Sequence, residues 1–157
     1  MNNGYLFTYY YSVMNMRKID FKKLAIYIAV PLLLGAVVGL ITSRQSANYD
    51  GPVPGWIFPV VWSILYILMG ISSYLISGNK DLLKIYYLNL GVNLLWPIIF
   101  FSFGFKTFAF FWLLFLIVIV GIMMYKFYKE NKLATYLLIP YMIWLVFAAF
   151  LNLSAIR

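Results

Sequence analysis

The sequence contains no cysteine and no histidine, and only four of its 157 residues are acidic. Without cysteine and histidine, the chain has no disulfide framework, no thiol nucleophile, no histidine-ligated haem and none of the commonest zinc sites. The four acidic residues are widely separated in the sequence: Asp20, Asp50, Asp81 and Glu130. We therefore expect no metal site and no catalytic residue of the usual acid–base or nucleophilic kind.

Charge of either sign is also scarce, because charged residues make up 10% of the chain and hydrophobic residues 65%. A soluble domain carries about 25% charged residues, so this chain has too few to coat a globular surface. We predict an integral membrane protein. The net charge of +8 is then expected at the ends of the helices, where it meets anionic lipid, and nucleic acid is not an expected partner.

Five apolar segments are long enough to cross a bilayer, whose core of about 30 Å requires roughly 20 helical residues. They span about residues 24–42, 56–76, 82–103, 108–125 and 133–155. Nearly continuous apolar runs, rather than alternation, argue against a transmembrane β-barrel. We predict an all-α bundle of five transmembrane helices over residues 24–157, preceded by an N-terminal extension and basic flank over residues 1–23. Short links should make consecutive helices antiparallel neighbours.

Lysine and arginine are unequally divided between the two ends of this bundle. Nine lie at the end that holds the N-terminus, and three lie at the other end: Arg44, Lys106 and Arg157. The positive-inside rule predicts a cytoplasmic N-terminus, in a bacterial cell membrane. Because Met16-Arg17-Lys18 opens like an ordinary membrane protein, we hypothesise that translation starts at Met14 or Met16.

Two of the spans carry aromatic or amide side chains at helical spacing. Phe58, Trp62 and Tyr66 recur every four residues in the second span and therefore share one face. Asn89 and Asn93 form a polar stripe in the third span, and amides in lipid need partners in the bundle or in a cavity. Packing explains an aromatic stripe at least as well as ligand binding does, and the asparagines could simply hydrogen-bond other helices.

The fifth span presents one face on which Trp144, Ala148 and Leu151 lie together. Small residues beside a tryptophan would let a flat aromatic molecule lie against the helix, although they would equally allow close helix packing. Gly35 and Gly39 in the first span form a GxxxG pair, a common packing or dimer signal. All these residues converge on the bundle end where the second span begins, which predicts a pocket with aromatic walls there.

Four stretches of the chain resemble the TspO/MBR family, whose members are called tryptophan-rich sensory proteins or translocator proteins. They are residues 31–39, 54–70, 88–96 and 138–152. The second contains the family's P-G-W-x-F-x-x-V-W-x-x-L-Y-x-x-M-G signature, and the fourth contains its L-x-P-Y-x-x-W-x-x-F-A-x-x-L-N run. The resemblance covers about residues 25–156 and implies a five-helix bundle, typically a homodimer, with a loop covering the pocket. That loop is shorter here than is usual in the family.

The resemblance implies binding of porphyrins and other hydrophobic ligands by a sensor, carrier or modulator of porphyrin level. Carried over motif by motif, the ligand-contact residues are Tyr49, Phe58, Trp62, Tyr66, Asn93, Trp144, Ala148 and Leu151. Porphyrin is the expected ligand, and no cofactor is required. The lack of an acid–base pair argues against an enzyme. The alternatives are light-dependent porphyrin degradation through Trp62 and Trp144, and passive transport of hydrophobic molecules.

Overall fold

The structure is a computed structural model that describes residues 19–49 and 51–156. Its helices are α1 (Phe21–Ala47), α2 (Ile57–Leu75), α3 (Lys80–Pro97), a π-helical turn (Ile98–Ser102), α4 (Lys106–Glu130), α5 (Lys132–Tyr136) and α6 (Ile139–Ile156). Together they form five segments long and apolar enough to span a membrane, since α3 continues into the π-helical turn and α5 into α6. The predicted all-α bundle of five spans is therefore confirmed. The hypothesised start at Met14 or Met16, together with Asp50 and Arg157, lies outside the described residues.

Three helices begin at polar side chains that cap them. At α1, the carboxylate of Asp20 accepts a hydrogen bond of 3.0 Å from the N–H of Lys23. Asn79 accepts from the N–H groups of Asp81 and Leu82 at α3, and Asn131 accepts from Ala134 at α5. Such caps satisfy N–H groups that the first helical turn leaves free. All three lie at the basic end of the bundle, defined by Lys22, Lys23, Lys80, Lys84, Lys126, Lys129 and Lys132.

The five spans close into a ring in the order α1, α2, α5–α6, α4 and α3. Consecutive spans are neighbours in three of the four cases, as expected from the short links. The expectation is wrong for α2 and α3, which have little close backbone contact. Buried tyrosines at positions 66, 86 and 141 fill the interior, and we attribute the separation of these two helices to that bulk.

Proline reshapes the third span as its position suggests. Pro97 has no N–H to donate to the carbonyl of Asn93, so the regular α-helical pattern stops there. The chain continues as the π-helical turn, in which the N–H of Phe103 donates to the carbonyl of Ile98 at 3.0 Å. This turn places two successive rings, Phe100 and Phe101, 6.1 and 5.9 Å from the ring of Tyr49.

α1 is the least buried of the five spans. Of its 27 residues, only Pro31 and Thr42 are fully buried. Near the basic end it approaches α2 closely, because a Cβ atom on Gly70 would lie 2.6 Å from the Cα atom of Ile28. Toward the opposite end the two helices separate, and a cavity lies between them.

Candidate ligand site

A cavity of about 950 Å³ lies between α1, α2 and the end of α3, at the end opposite the basic end. Its aromatic lining comes from six side chains: Trp56, Phe58, Trp62, Tyr66, Trp96 and Phe101. The α1 wall is formed mainly by small and aliphatic residues, including Gly35, Ala36 and Gly39. Ligand cavities of roughly 300–1,000 Å³ with mainly apolar and aromatic linings are typical of sites for small organic molecules.

Trp62 packs against two other aromatic rings in the wall of this cavity. Its ring stacks on the ring of Tyr66, with centroids 5.5 Å apart and an angle of 28° between the planes. The edge of a third ring, that of Tyr141, meets it at a centroid distance of 6.1 Å. Trp62 and Tyr66 recur one helical turn apart on α2, which explains why both reach the same cavity.

The loop that follows α1 packs against the wall of the cavity through Tyr49. Its ring packs edge-on against Phe58 at 5.4 Å and against Phe101 at 5.9 Å. Behind them, Trp96 stacks on Phe100 at 5.2 Å. Burial raises the pKa of the Tyr49 phenol above its usual value, so this hydroxyl remains a hydrogen-bond donor at neutral pH.

Several buried polar atoms around these rings have no hydrogen-bond partner in the described part of the protein. They include the hydroxyl of Tyr49, the indole N–H groups of Trp96 and Trp144, and the side-chain amide of Asn93. Leaving a buried polar group unpaired costs about 1–3 kcal/mol, so such groups in native structures call for an explanation. The two indole N–H groups can only donate, the Tyr49 hydroxyl can donate and accept, and the Asn93 amide offers both kinds of group.

These features combine apolar aromatic faces with a few hydrogen-bond donors at one end of a membrane bundle. The sequence model of the TspO/MBR family matches residues 27–157, nearly the whole of the described chain. The chain belongs to the TspO/MBR family. With five apolar spans, it is an integral membrane protein.

Similar proteins carry the names used in this family. The chain is 31% identical over 107 residues to the tryptophan-rich sensory protein of Cereibacter sphaeroides, covering 66% of this chain and 68% of that protein. It is 31% identical over 144 residues to the tryptophan-rich protein TspO of Archaeoglobus fulgidus, covering 84% and 94%. It is 34% identical over 107 residues to the human translocator protein, covering 63% of each chain.

The structure brings three of the eight predicted contact residues of the TspO/MBR motifs into the cavity lining: Phe58, Trp62 and Tyr66. The other five lie outside that lining and are at least half buried: Tyr49, Asn93, Trp144, Ala148 and Leu151. The ring of Trp144 lies 6.1 Å from the ring of Phe58, which therefore separates it from the cavity. Of the two tryptophans, only Trp62 lines the cavity, and the ligand contacts of all eight residues stay predictions.

Sequence reasoning missed several residues of the lining. Trp96 lies in the same motif as Asn93, and its position one turn further along α3 was the signal that could have identified it. Phe101 gave no such signal, because the π-helical turn changes the register between Trp96 and Phe101. Gly39 was interpreted only as part of a packing or dimer signal; it lines the cavity, and a Cβ atom there would meet no heavy atom of this chain within 4 Å.

Proposed function

We propose that this TspO/MBR protein binds a porphyrin or a similar flat hydrophobic tetrapyrrole in the cavity between α1, α2 and the end of α3. In this role it acts as a sensor, carrier or modulator of porphyrin level. The observation that carries the proposal is the meeting of aromatic faces and unpartnered buried donors at one end of the bundle. The names of the relatives as sensory and translocator proteins are consistent with a ligand-handling role.

The chemistry of a tetrapyrrole matches both halves of this arrangement. Its flat faces are apolar and stack on aromatic rings such as Trp62 and Trp96, which line the cavity. Its carboxylates are hydrogen-bond acceptors, and the unpartnered donors nearest the cavity are the indole N–H of Trp96, which lines it, and the hydroxyl of Tyr49, whose ring packs on the lining residues Phe58 and Phe101. A purely aliphatic ligand would fill the same volume but would leave those donors unpaired, at a cost of about 1–3 kcal/mol each.

Titration of the protein in lipid nanodiscs with protoporphyrin IX, followed by tryptophan fluorescence, tests the proposal. We expect saturable quenching of the parent protein. Trp62→Phe should lose the largest share of the quenching and bind more weakly, because its ring lines the cavity. Aromatic pairs contribute about 0.5–1.5 kcal/mol beyond area burial, which corresponds to an affinity loss of up to about tenfold.

Trp112→Phe is the matched control for this titration. Trp112 lies on α4, outside the cavity lining, and its indole N–H donates to the carbonyl of Val92 at 2.8 Å. The control should bind and quench like the parent, apart from the loss of its own emission. Non-saturable quenching that is equal in the parent and in empty nanodiscs contradicts the proposed function. Equal losses in Trp62→Phe and Trp112→Phe contradict the proposed location.

Light-dependent breakdown of the bound porphyrin is a second candidate, favoured by the position of Trp62. A tryptophan in van der Waals reach of a photoexcited porphyrin can give it an electron, and Tyr66 and Tyr141 lie beside Trp62 as further oxidisable rings. Illumination of the loaded protein in oxygenated buffer should then give a coloured product that Trp62→Phe does not form. Bleaching at the same rate by porphyrin in empty nanodiscs contradicts this activity.

A further inference from the structure

The packing of α1 against α2 alternates between contact and separation. Near the basic end, the backbone of α1 lies against Gly70 of α2. At mid-membrane, the ring of Tyr66 lies against Gly35, and at the opposite end the carbonyl oxygen of Ser46 lies against Gly55. At each point a Cβ atom on the glycine would overlap the neighbouring helix, so these contacts fix the distance between α1 and α2.

Between the last two contacts the helices part and leave an opening in the side of the bundle. Its edge on α1 is formed by Gly39 and Ser43, and its edge on α2 by Pro59 and Ser63; all four are exposed and line the cavity. We call this opening the lateral window. A Cβ atom on Gly39 would have no heavy atom within 4 Å, so the window is open at the level of that residue.

The rim of the lateral window presents no unpaired hydrogen-bond donor, although it includes two serines. The hydroxyl of Ser43 donates to the carbonyl of Leu40 at 2.8 Å, and that of Ser63 donates to the carbonyl of Pro59 at 2.8 Å. Serine hydroxyls that bond to the preceding turn of their own helix have their donor satisfied and need no water. The rim therefore suits the hydrocarbon region of a bilayer and the passage of an apolar molecule.

The described part of the loop after α1 packs its one tyrosine ring against the cavity wall at the aqueous end. The ring of Tyr49 is packed among the rings of Phe58, Phe100 and Phe101. The backbone of the same loop is held by hydrogen bonds from Tyr49 to Ser46 at 3.2 Å and from Phe58 to Gly55 at 3.3 Å. The loop side of the cavity therefore carries packed aromatic rings, whereas the side between α1 and α2 carries the four exposed residues of the window.

We propose that a porphyrin or similar hydrophobic ligand dissolved in the bilayer enters and leaves the cavity sideways, through the lateral window between α1 and α2. The inference rests on the proposed function, because it concerns the route to that site. The protein then draws on the pool of ligand in the membrane. A ligand that partitions strongly into lipid is captured faster than a water-soluble one of the same shape.

Obstruction of the window tests this route. Gly39→Phe places a ring in the opening, and the empty space around Gly39 allows the variant to fold. Gly91→Phe is the matched control, since Gly91 is also an exposed helical glycine with no heavy atom within 4 Å of its Cβ position, and it is outside the cavity lining. Association and dissociation rates of protoporphyrin IX are measured by stopped-flow fluorescence in nanodiscs, together with the equilibrium Kd.

Blocking a route slows association and dissociation together and leaves Kd nearly unchanged, whereas filling a site raises Kd. We expect Gly39→Phe to lower both rates by about tenfold or more, as for binding that must wait for a rearrangement. Gly91→Phe should keep the parental rates. Parental rates in Gly39→Phe, or a raised Kd with parental association, overturn the lateral route. Lack of saturable binding by the parent itself overturns the proposed function and this route with it.

A reversible block gives a second test that does not depend on one bulky side chain. The chain has no cysteine, so Gly39→Cys with Ser63→Cys provides a single pair of thiols across the window. Bridging them with a short bis-methanethiosulfonate reagent should slow both rates, and reductant should restore them. Rates that are the same before and after bridging contradict passage through the window, and indicate that the ligand passes the loop or that lipid chains occupy the opening.

Discussion

The ring of Tyr66 on α2 lies directly against the backbone of Gly35 on α1, where a Cβ atom would overlap the ring. Tyr66 also stacks on Trp62 at a centroid distance of 5.5 Å. One contact between two spans therefore closes the inner end of the cavity and fixes a tryptophan in its wall. It also explains why glycine occupies the first position of the GxxxG pair in α1.

Gly35→Ala should destabilise the protein, because the added methyl group must push the buried ring of Tyr66 aside. Overpacking of this kind costs about 1–3 kcal/mol. Thermal unfolding in detergent, followed by near-UV circular dichroism, measures the loss. The control is Gly91→Ala, which has open space at its Cβ position and should unfold at the parental temperature or above. Equal stability of the two variants contradicts the contact.

Gly70→Ala should be more damaging than Gly35→Ala. A Cβ atom at Gly70 would lie 2.6 Å from the Cα of Ile28 and 2.7 Å from the carbonyl oxygen of Tyr27. Both are backbone atoms, which cannot rotate out of the way as a side chain can, so the two helices must separate. The same unfolding measurement should rank the three glycine variants as Gly70→Ala, Gly35→Ala and Gly91→Ala in order of increasing stability. A Gly70→Ala variant as stable as Gly91→Ala contradicts the helix crossing.

Tyr141→Phe should destabilise the bundle while leaving the aromatic contact with Trp62 intact. The hydroxyl of Tyr141 donates to the side-chain amide oxygen (Oδ1) of Asn89 at 3.3 Å, and both residues are fully buried. Its removal leaves that oxygen unpaired, which costs about 1–3 kcal/mol. Tyr136→Phe, at an exposed tyrosine, is the control and should be neutral. The hydrogen bond is contradicted if both variants unfold at the same temperature.

Tyr49→Phe should separate stability from ligand binding. The hydroxyl of Tyr49 is buried without a partner, so its removal costs the ligand-free protein nothing and keeps the ring in place. If the hydroxyl donates to a bound porphyrin, the variant loses a hydrogen bond that contributes about 0.5–1.5 kcal/mol, or about two- to tenfold in affinity. Unfolding and the protoporphyrin titration are measured on the same preparation. A less stable variant with parental affinity contradicts the role assigned to the hydroxyl.

The distribution of basic residues predicts which end of the bundle faces the cytoplasm. Gly78→Cys places a thiol at the basic end and Gln45→Cys places one at the opposite end, both at exposed positions. A membrane-impermeant maleimide added to intact cells should label only Gln45→Cys, and both should react after lysis. The reverse pattern contradicts a cytoplasmic N-terminus.

The features that depend on short-range periodicity could be predicted from the sequence. Length and hydropathy gave the five spans, and the four-residue spacing of Phe58, Trp62 and Tyr66 placed them on one face, where the structure has them lining one cavity. Pro97 marks the point where the third span changes from α-helix to π-helical turn, a local effect of the missing proline N–H.

The features that depend on how helices face each other could not be predicted. The order of the ring separates α2 from α3 despite their short link, because the neighbours in the ring are a matter of tertiary packing rather than of link length. Trp144 lies behind Phe58 because the position of α6 relative to α2 is a tertiary property. The empty space around Gly39 depends on the point at which α1 and α2 move apart. No sequence pattern within α1 indicates that point.

The central claim, that the cavity between α1, α2 and the end of α3 holds the tetrapyrrole, is tested most directly by locating a bound metalloporphyrin. Nickel mesoporphyrin is suitable, because square-planar nickel needs no axial ligand from a chain without histidine or cysteine. Anomalous diffraction from crystals of the loaded protein locates the nickel atom. The account predicts one peak within the cavity, beside the rings of Trp62 of α2 and Trp96 of α3. A peak elsewhere in the bundle or on its outer surface, with this cavity empty, would contradict it.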